Sequence, residues 1–451
     1  MRYLYLDNLR GFKDQLIPFS DINFFVGENS TGKTSVLSIF KALTSRDFLH
    51  HGYLMSPRTT EYLGDSFDSL VSVNSENKTS FTAGFGSDIE GDVFFVLFRF
   101  IQKDDQPWVS RAIATEGSEI FSLEELSEAG TNDGRPAYNL TVINNKFKKQ
   151  TKIRTIVNTL NKTINSTNKN VRNPKSSVQF DPIDVFPLNL FFSLHARFLP
   201  LELHETGRST ELYENLQGIR RTIFNLPFAA TSWSAPIRSK PQSTYTGSLT
   251  QFSSEGAHFP FEFRKAFISS KNEFKEYQRK LNHYGKASGL FDSIEVKLYE
   301  ESLSGPFEIN VVLSHNQVNL KHVGYGVSQI LPIMHELISR KDHRMFLQQP
   351  EVHLHPRAQA AFGEILFEFS KQSEQPLFIE THSDFIIDRF RLCISKDRKY
   401  KKNVSVLFFS RDESGNKVSE VKVESDGSYS ENQPEEFREF FLNEAINILA
   451  I

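Results

Sequence analysis

The chain has 451 residues, a formal charge of −3 and 39 % hydrophobic residues. That suits one large α/β domain with insertions, or two to three ordinary domains, and excludes wholesale disorder. The near-neutral balance excludes a generally basic nucleic-acid binder, so any such surface must be a local patch.

The opening MRYLYLDNLRGF reads as a strand followed by a turn and lacks the long apolar core of a secretion signal. INFFVGENSTGKTSVLSIFKAL (22–43) follows. It carries G-x-x-x-x-G-K-T at Gly27, Gly32, Lys33 and Thr34, between an apolar strand and a helix whose Val36, Leu37, Ile39, Phe40 and Leu43 fall at helical spacing. Glycines let backbone N–H groups converge on phosphate oxygens, and the helix adds the positive end of its dipole. Lys33 is expected on the β- and γ-phosphates of ATP and Thr34 on Mg2+, with Asn29 and Ser35 completing the binding set.

VFFVLFRFI (93–101) is too short for a bilayer span and contains Arg99. The stretch 144–175 is rich in Lys, Arg and Asn and has no acid; it suits DNA phosphates, or a solvated mobile insertion. No long heptad run exists, and FRKAFISSKNEFKEYQRKLNHY (263–284) reads as one sizeable charged helix. The single cysteine, Cys393, allows no disulfide within the chain and suits a reducing cytoplasm. The 42 Phe are expected to fill cores.

Downstream, Gly324-Tyr325-Gly326 opens a helix striped by Ile330, Ile333, Met334, Leu337 and Ile338, with Ser328 and Gln329 in its first turn. Such a turn can bind an anion, or serve as plain helix punctuation with Ser328 as the cap. HRMFLQQPEVHLHP (343–356), the helix RAQAAFGEILFEFS and QPLFIETHSDFIIDRF (375–390) then read as strand, helix, strand. Functional groups of parallel α/β sheets collect at the carboxyl ends of strands, so the glycine loop, 348–351 and 381–383 are expected along one edge. His353 and His355 lack the Cys or HExxH partners of a zinc site and read as polar loop residues.

This order of segments resembles the ATP-binding-cassette ATPases of the soluble RecF/SMC-like branch, and most closely the OLD-type ATPases. YLDNLRGFKD resembles the opening strands of that branch, VGYGVSQILP its signature segment, QPEVHLHP its Walker B end and D-loop, and ETHSDF its His switch. The resemblance covers roughly 1–50 and 300–451. It implies an α/β ABC-ATPase head with a partly helical insertion: an N-terminal lobe over 1–104, an insertion over 105–299 and a C-terminal lobe over 300–451. It also implies composite sites, in which Gly324, Gly326 and Ser328 of one copy cap the ATP of another, so that the chain works as a homodimer or larger homo-oligomer. His382 would sense the γ-phosphate, and His355 stands where the D-loop has an Asp. APIRSKPQSTY (235–245) resembles a segment of the OLD-like proteins; Arg238 there points toward nucleotide or partner, or the segment is a Pro-pinned surface loop.

One departure matters. The family pattern is a magnesium-binding acid followed by a catalytic Glu, and these positions hold Gln348 and Gln349. A glutamine oxygen can meet magnesium or its water, so Gln348 stays a metal candidate and Gln349 a catalytic-position residue, but neither is a general base at neutral pH. Glu351 is the nearest acid and the candidate base; otherwise hydrolysis is very slow, or the acids have been replaced to trap ATP. The tail after the switch contains no D-x-D pair, so the Toprim nuclease of OLD-type proteins is not expected. The resemblance favours a sensor or scaffold ATPase working with a separately encoded nuclease or other effector, as in antiphage systems such as Septu and PARIS. The alternatives are a non-hydrolysing ATP-gated scaffold and a RecF-like repair ATPase.

Overall fold

The computed structural model describes residues 2–45, 47–48, 54–55, 63–64, 66–73, 75–89, 92–116, 119–126, 137–144, 147, 151–166, 174–180, 230–249, 251–269, 271–431 and 433–439. The chain divides into two compact units of interleaved segments. Unit 1 takes Met1–Phe19, Asn29–Phe228 and Phe409–Val418; unit 2 takes Ser20–Glu28, Ala229–Phe408 and Ser419–Ile451.

Unit 1 is built on an eight-stranded sheet. Its strands are β1 (Arg2–Asp7), β2 (Gln15–Phe19), β4 (Ser80–Ile89), β5 (Asp92–Lys103), β6 (Gln106–Glu116), β7 (Glu119–Leu126), β8 (Ala137–Asn144) and β9 (Pro174–Phe180), in the order β2-β1-β4-β5-β6-β7-β8-β9. These neighbours pair antiparallel; β4 to β5, β5 to β6 and β6 to β7 close through short turns, whereas β1 meets β4 and β8 meets β9 across long connections. β5 carries the run VFFVLFRFI, apolar but for Arg99, because its side chains are buried in two different clusters. Phe95 and Leu97 join Tyr5, Ile113 and Ile120 against helix α2 (Ile153–Ile164). Phe98 and Phe100 pack with Phe48, Phe81 and Phe85.

Helix α2 lies within the basic 144–175 stretch. Ile156, Val157, Leu160 and Ile164 fall on one side and are buried, so this part is a packed amphipathic helix and not a solvated insertion. Arg154 is paired with Asp14 at 2.5 Å, while Lys152 and Lys162 are exposed. Residues 145–146, 148–150 and 167–173 lie outside the described residues.

Unit 2 holds a six-stranded sheet in the order β10-β14-β15-β3-β16-β17. The strands are β3 (Ile22–Gly27), β10 (Thr231–Ser234), β14 (Arg344–Gln348), β15 (Leu377–Glu380), β16 (Val404–Asp412) and β17 (Gly415–Val423). β10, β14, β15 and β3 run parallel, so their carboxyl ends share an edge. Segments 409–412 of β16 and 415–418 of β17 are counted with unit 1. Around this sheet are α3 (Phe259–Ser269), α4 (Lys271–Ser288), α5 (Tyr325–Ser339), α6 (Pro356–Gln372) and α7 (Asp384–Lys396). A small sheet of β11 (Ser293–Leu298), β12 (Phe307–Leu313) and β13 (Asn316–Asn319) belongs to the same unit.

The expected single helix over 263–284 is two helices. Phe263 lies 5.2 Å from Phe274 and 5.6 Å from Tyr277, ring to ring. In one straight helix Phe263 and Phe274 would stand about 16 Å apart along the axis, so burying both stripes together requires the break. The expected domain cuts also meet paired strands: 104/105 is the Asp104-Asp105 turn joining β5 to β6, and 299/300 falls between β11 and β12 of one sheet. At the tail, Phe437 packs on Phe408 and Tyr429, which makes it a core residue; 440–449 lie outside the described residues.

Candidate nucleotide site

The glycine loop leaves β3 at Gly27 and ends at α1 (Lys33–Leu43), as the motif requires. Gly32 is the N-cap of α1 at φ +95° and offers no capping side chain. A Cβ there would sit 2.5 Å from Phe12 Cζ, so both the left-handed backbone and the packing demand glycine. With no acid in the first turn and no side-chain cap, the helix N-terminus is built to receive an anion. Lys33 is buried, and Asn29 and Thr34 are exposed.

Unit 1 braces this loop with residues from far along the chain. Arg411 donates from Nη2 to the Ser30 carbonyl and from Nε to Asn416 Oδ1 at 2.8 Å. Asn416 donates from Nδ2 to the Arg10 carbonyl at 3.0 Å and from its backbone to the Gly11 carbonyl at 2.8 Å. Arg10 Nη1 lies 3.4 Å from Ser35 Oγ, a weak contact. Arg411, Asn416 and Phe12 escaped the reading of the sequence, because nothing local ties residue 411 to residue 30.

The carboxyl edge of the parallel sheet in unit 2 gathers the second set. Gln348 is the last residue of β14, and its Nε2 donates to Glu380 Oε2 at 3.3 Å. Gln349 enters the left-handed region at φ +41°, and its N–H donates to the Glu380 carbonyl at 2.7 Å. Glu351 then turns back toward the end of β15: Thr381 Oγ1 and the His382 N–H each donate to one of its carboxylate oxygens at 2.8 Å. Burial outweighs those bonds and pushes the Glu351 carboxyl up. His382 itself is exposed, and Ser383 caps α7 by accepting from Ile386 N–H.

Arg238 is not on a surface loop. It is 4 % exposed; Nη2 donates to the Gln348 carbonyl at 3.2 Å, Nε contacts Ser234 Oγ at 3.3 Å, and Nη1 has no partner. Burial, offset in part by Glu351, brings its guanidinium down to about 10, so it remains a cation at neutral pH.

The Gly324–Gly326 turn opens α5 directly, with Gly324 as N-cap. A Cβ on Gly326 would lie 2.7 Å from the His353 carbonyl, whereas one on Gly324 would meet nothing within 4 Å. Gly326 is therefore explained by packing within its own chain, and Gly324 faces open space beside exposed Tyr325. The structure does not make Ser328 a cap: its hydroxyl is buried and donates to the Tyr325 carbonyl. His355 does cap α6, accepting the Ala358 N–H on Nδ1, so it performs the helix-start task that an Asp performs well. His353 stacks near Tyr325, ring centroids 5.5 Å apart.

A separate cluster in unit 2, His258, Glu262, His335 and Glu336, has ligand atoms within 4.8 Å of one another. The Ser253 N–H donates to His258 Nδ1, which leaves the proton on Nε2, where it meets Glu336 at 2.8 Å. Tyr277 and Glu262 engage the two nitrogens of His335 in the same way, and Arg340 reaches Glu262 at 2.8 Å. Imidazoles protonated where a metal would bind, beside a guanidinium, make a structural hydrogen-bond network.

A glycine loop that leaves a parallel strand and opens a helix, in a parallel sheet flanked by helices, is a P-loop fold of the ABC-ATPase kind. The family model described as AAA ATPase domain matches residues 1–387, and the chain belongs to that family. No curated protein matches the sequence. Among solved structures the chain is similar to a Smc head bound to the C-winged helix domain of ScpA (13 % identity, 94 % of this chain and 97 % of that one, TM-score 0.44). It is also similar to a Smc head with an extended coiled coil bound to the C-terminal domain of ScpA, derived from Pyrococcus furiosus (12 % identity, 100 % and 99 %, TM-score 0.42). A third is the SMC head domain from Thermotoga maritima (12 % identity, 94 % and 100 %, TM-score 0.34). Among the described residues no helix is long and apolar enough to cross a membrane.

Proposed function

We propose that the chain binds ATP and Mg2+ through Gly27, Asn29, Gly32, Lys33, Thr34 and Ser35 and hydrolyses ATP slowly. The observation that carries this reading is the phosphate loop, with Gly32 left-handed on Phe12 and the Ser30 carbonyl held by Arg411. Its donor set fits a triphosphate: backbone N–H groups, one Lys ammonium, and a hydroxyl for the metal. Bound magnesium would supply charge neutralisation at the phosphates. Glu351 is the base of this reading. The bonds from Thr381 and His382 orient its carboxylate, and a raised carboxyl is a better proton acceptor at neutral pH. Those same bonds fix the backbone at His382, the γ-phosphate sensor.

ATP then joins two copies. The open N-terminus of α5 at Gly324, with exposed Tyr325 beside it, is the surface that caps the partner's nucleotide. The biological role we propose is that of a sensor or scaffold subunit of an antiphage system with a separately encoded nuclease or effector; the resemblance of the motif set to OLD-like ATPases supports it. DNA contact is assigned to 144–175. Gln348 and Gln349 favour a second reading, an ATP-gated scaffold that does not turn over.

Steady-state hydrolysis by the wild type and Lys33→Ala separates the two. A Lys33-dependent rate supports the ATPase; ATP binding with a rate equal to that of Lys33→Ala supports the scaffold. Loss of ATP binding in neither protein, or in both, sinks the assignment of this loop. Expression with the adjacent open reading frame under phage challenge tests the defence role, which fails if protection does not depend on both genes.

A further inference from the structure

We propose that Glu380 supplies the magnesium-side carboxylate of this ATPase, transposed by one strand from the end of β14 to the end of β15. The inference rests on the ATP-binding reading above. β14 and β15 pair in parallel with Gln348 directly opposite Glu380. Residues opposite one another in neighbouring strands project from the same face of the sheet. The two side chains accordingly meet, Gln348 Nε2 donating to Glu380 Oε2 at 3.3 Å, with the residues 4 % and 5 % exposed.

β15 is also the neighbour of β3. Glu380 stands opposite Phe25, and the next residue, Thr381, donates its N–H to the Phe25 carbonyl at 3.1 Å. Two residues beyond Phe25 the chain enters the glycine loop at Gly27. The carboxylate therefore lies between the strand that launches the phosphate loop and the strand that ends in two glutamines.

The chemistry favours the exchange. Magnesium takes hard oxygen ligands and commonly one or two carboxylates, directly or through its waters. Gln348 has an oxygen but no charge, whereas Glu380 has both. An acid closing a strand whose other three residues are buried and apolar carries a desolvation penalty that a fourth apolar residue would avoid. Gln348 contributes by orienting Glu380 through its amide. Gln349 is excluded from that task, because its backbone turns left-handed and is tied to the Glu380 carbonyl.

The test is the magnesium dependence of nucleotide binding, read by titrating a fluorescent ATP analogue with and without Mg2+. Wild type is expected to bind about tenfold tighter with Mg2+. Glu380→Gln is expected to keep the metal-free affinity and lose that gain. The double variant Gln348→Glu/Glu380→Gln, which returns the acid to β14, is expected to recover it, and recovery also shows that the sheet folds. If Glu380→Gln keeps the magnesium gain, or the double variant fails to recover it while binding metal-free ATP normally, the transposition is wrong. If wild type and Lys33→Ala bind alike, the nucleotide reading itself fails and this inference falls with it.

Discussion

At Gly32 a single hydrogen atom separates a working phosphate loop from a collision. Its φ of +95° is costly for any side chain, and a Cβ would enter the Phe12 ring. Gly32→Ala should lower stability by about 1–3 kcal/mol and abolish ATP binding, as checked by thermal unfolding and nucleotide titration. Glu351 makes a different prediction. Glu351→Gln should retain ATP binding and slow turnover by about 10²–10⁴-fold; an unchanged rate excludes it as the base. Because burial raises its carboxyl, wild-type turnover should fall as pH drops through a range above that of ordinary carboxylates, since protonation removes the base. That limb of the profile should vanish in Glu351→Gln. The glycines and Lys33 were legible because a phosphate loop is made by consecutive residues. Glu380 was not. Its one sequence signal is an acid closing the apolar run LFI just before Thr381-His382, and only the strand register sets it against Gln348.

At the scale of elements, the β16–β17 hairpin does more than end the sheet. Arg411 and Asn416 hold the loop backbone at Ser30, Arg10 and Gly11. Arg411→Ala should weaken ATP binding several-fold, an effect seen in the titration with native far-UV circular dichroism retained. Strands and helices with clear periods were readable: β3, α1, β14, α6 and β15 all lie where their apolar patterns put them, whereas α7 follows β15 inside a stretch that reads as strand. The charged 263–284 segment misled because helix propensity runs through it. Its division between α3 and α4 is decided by Phe263, Phe274 and Tyr277 meeting in one core. Between α3 and α5, Glu262 gives a stability prediction. Burial pushes its carboxyl up, but His335 and Arg340 outweigh that and hold it at about 2. Its folded value lies below its unfolded one, so its stabilisation is present above about pH 4.5 and is lost as pH falls toward 2. Urea unfolding should show wild type losing about 2 kcal/mol more than Glu262→Gln over that window.

For the whole molecule, ATP-dependent association is the decisive observable. Wild type with ATP should pass from monomer to dimer or larger by light scattering. Lys33→Ala should remain monomeric, and Gly324→Trp, which fills the open space at the start of α5, should bind ATP yet fail to associate. If Gly324→Trp associates as wild type does, the capping surface lies elsewhere. The two interleaved units explain why domain boundaries could not be read along the chain. Strand pairing joins residues hundreds apart, such as Leu377 with Ile22, and no composition shift marks such a junction. By itself the sequence determined the phosphate loop, the α/β alternation around it and the placing of Gln348 and Gln349 at a strand end, because local spacing encodes all three. Tertiary structure alone decided which acid faces those glutamines, which arginine braces the loop and which glycine at the start of α5 has open space beside it. Those depend on side chains brought together across strands, where burial and register select the partner.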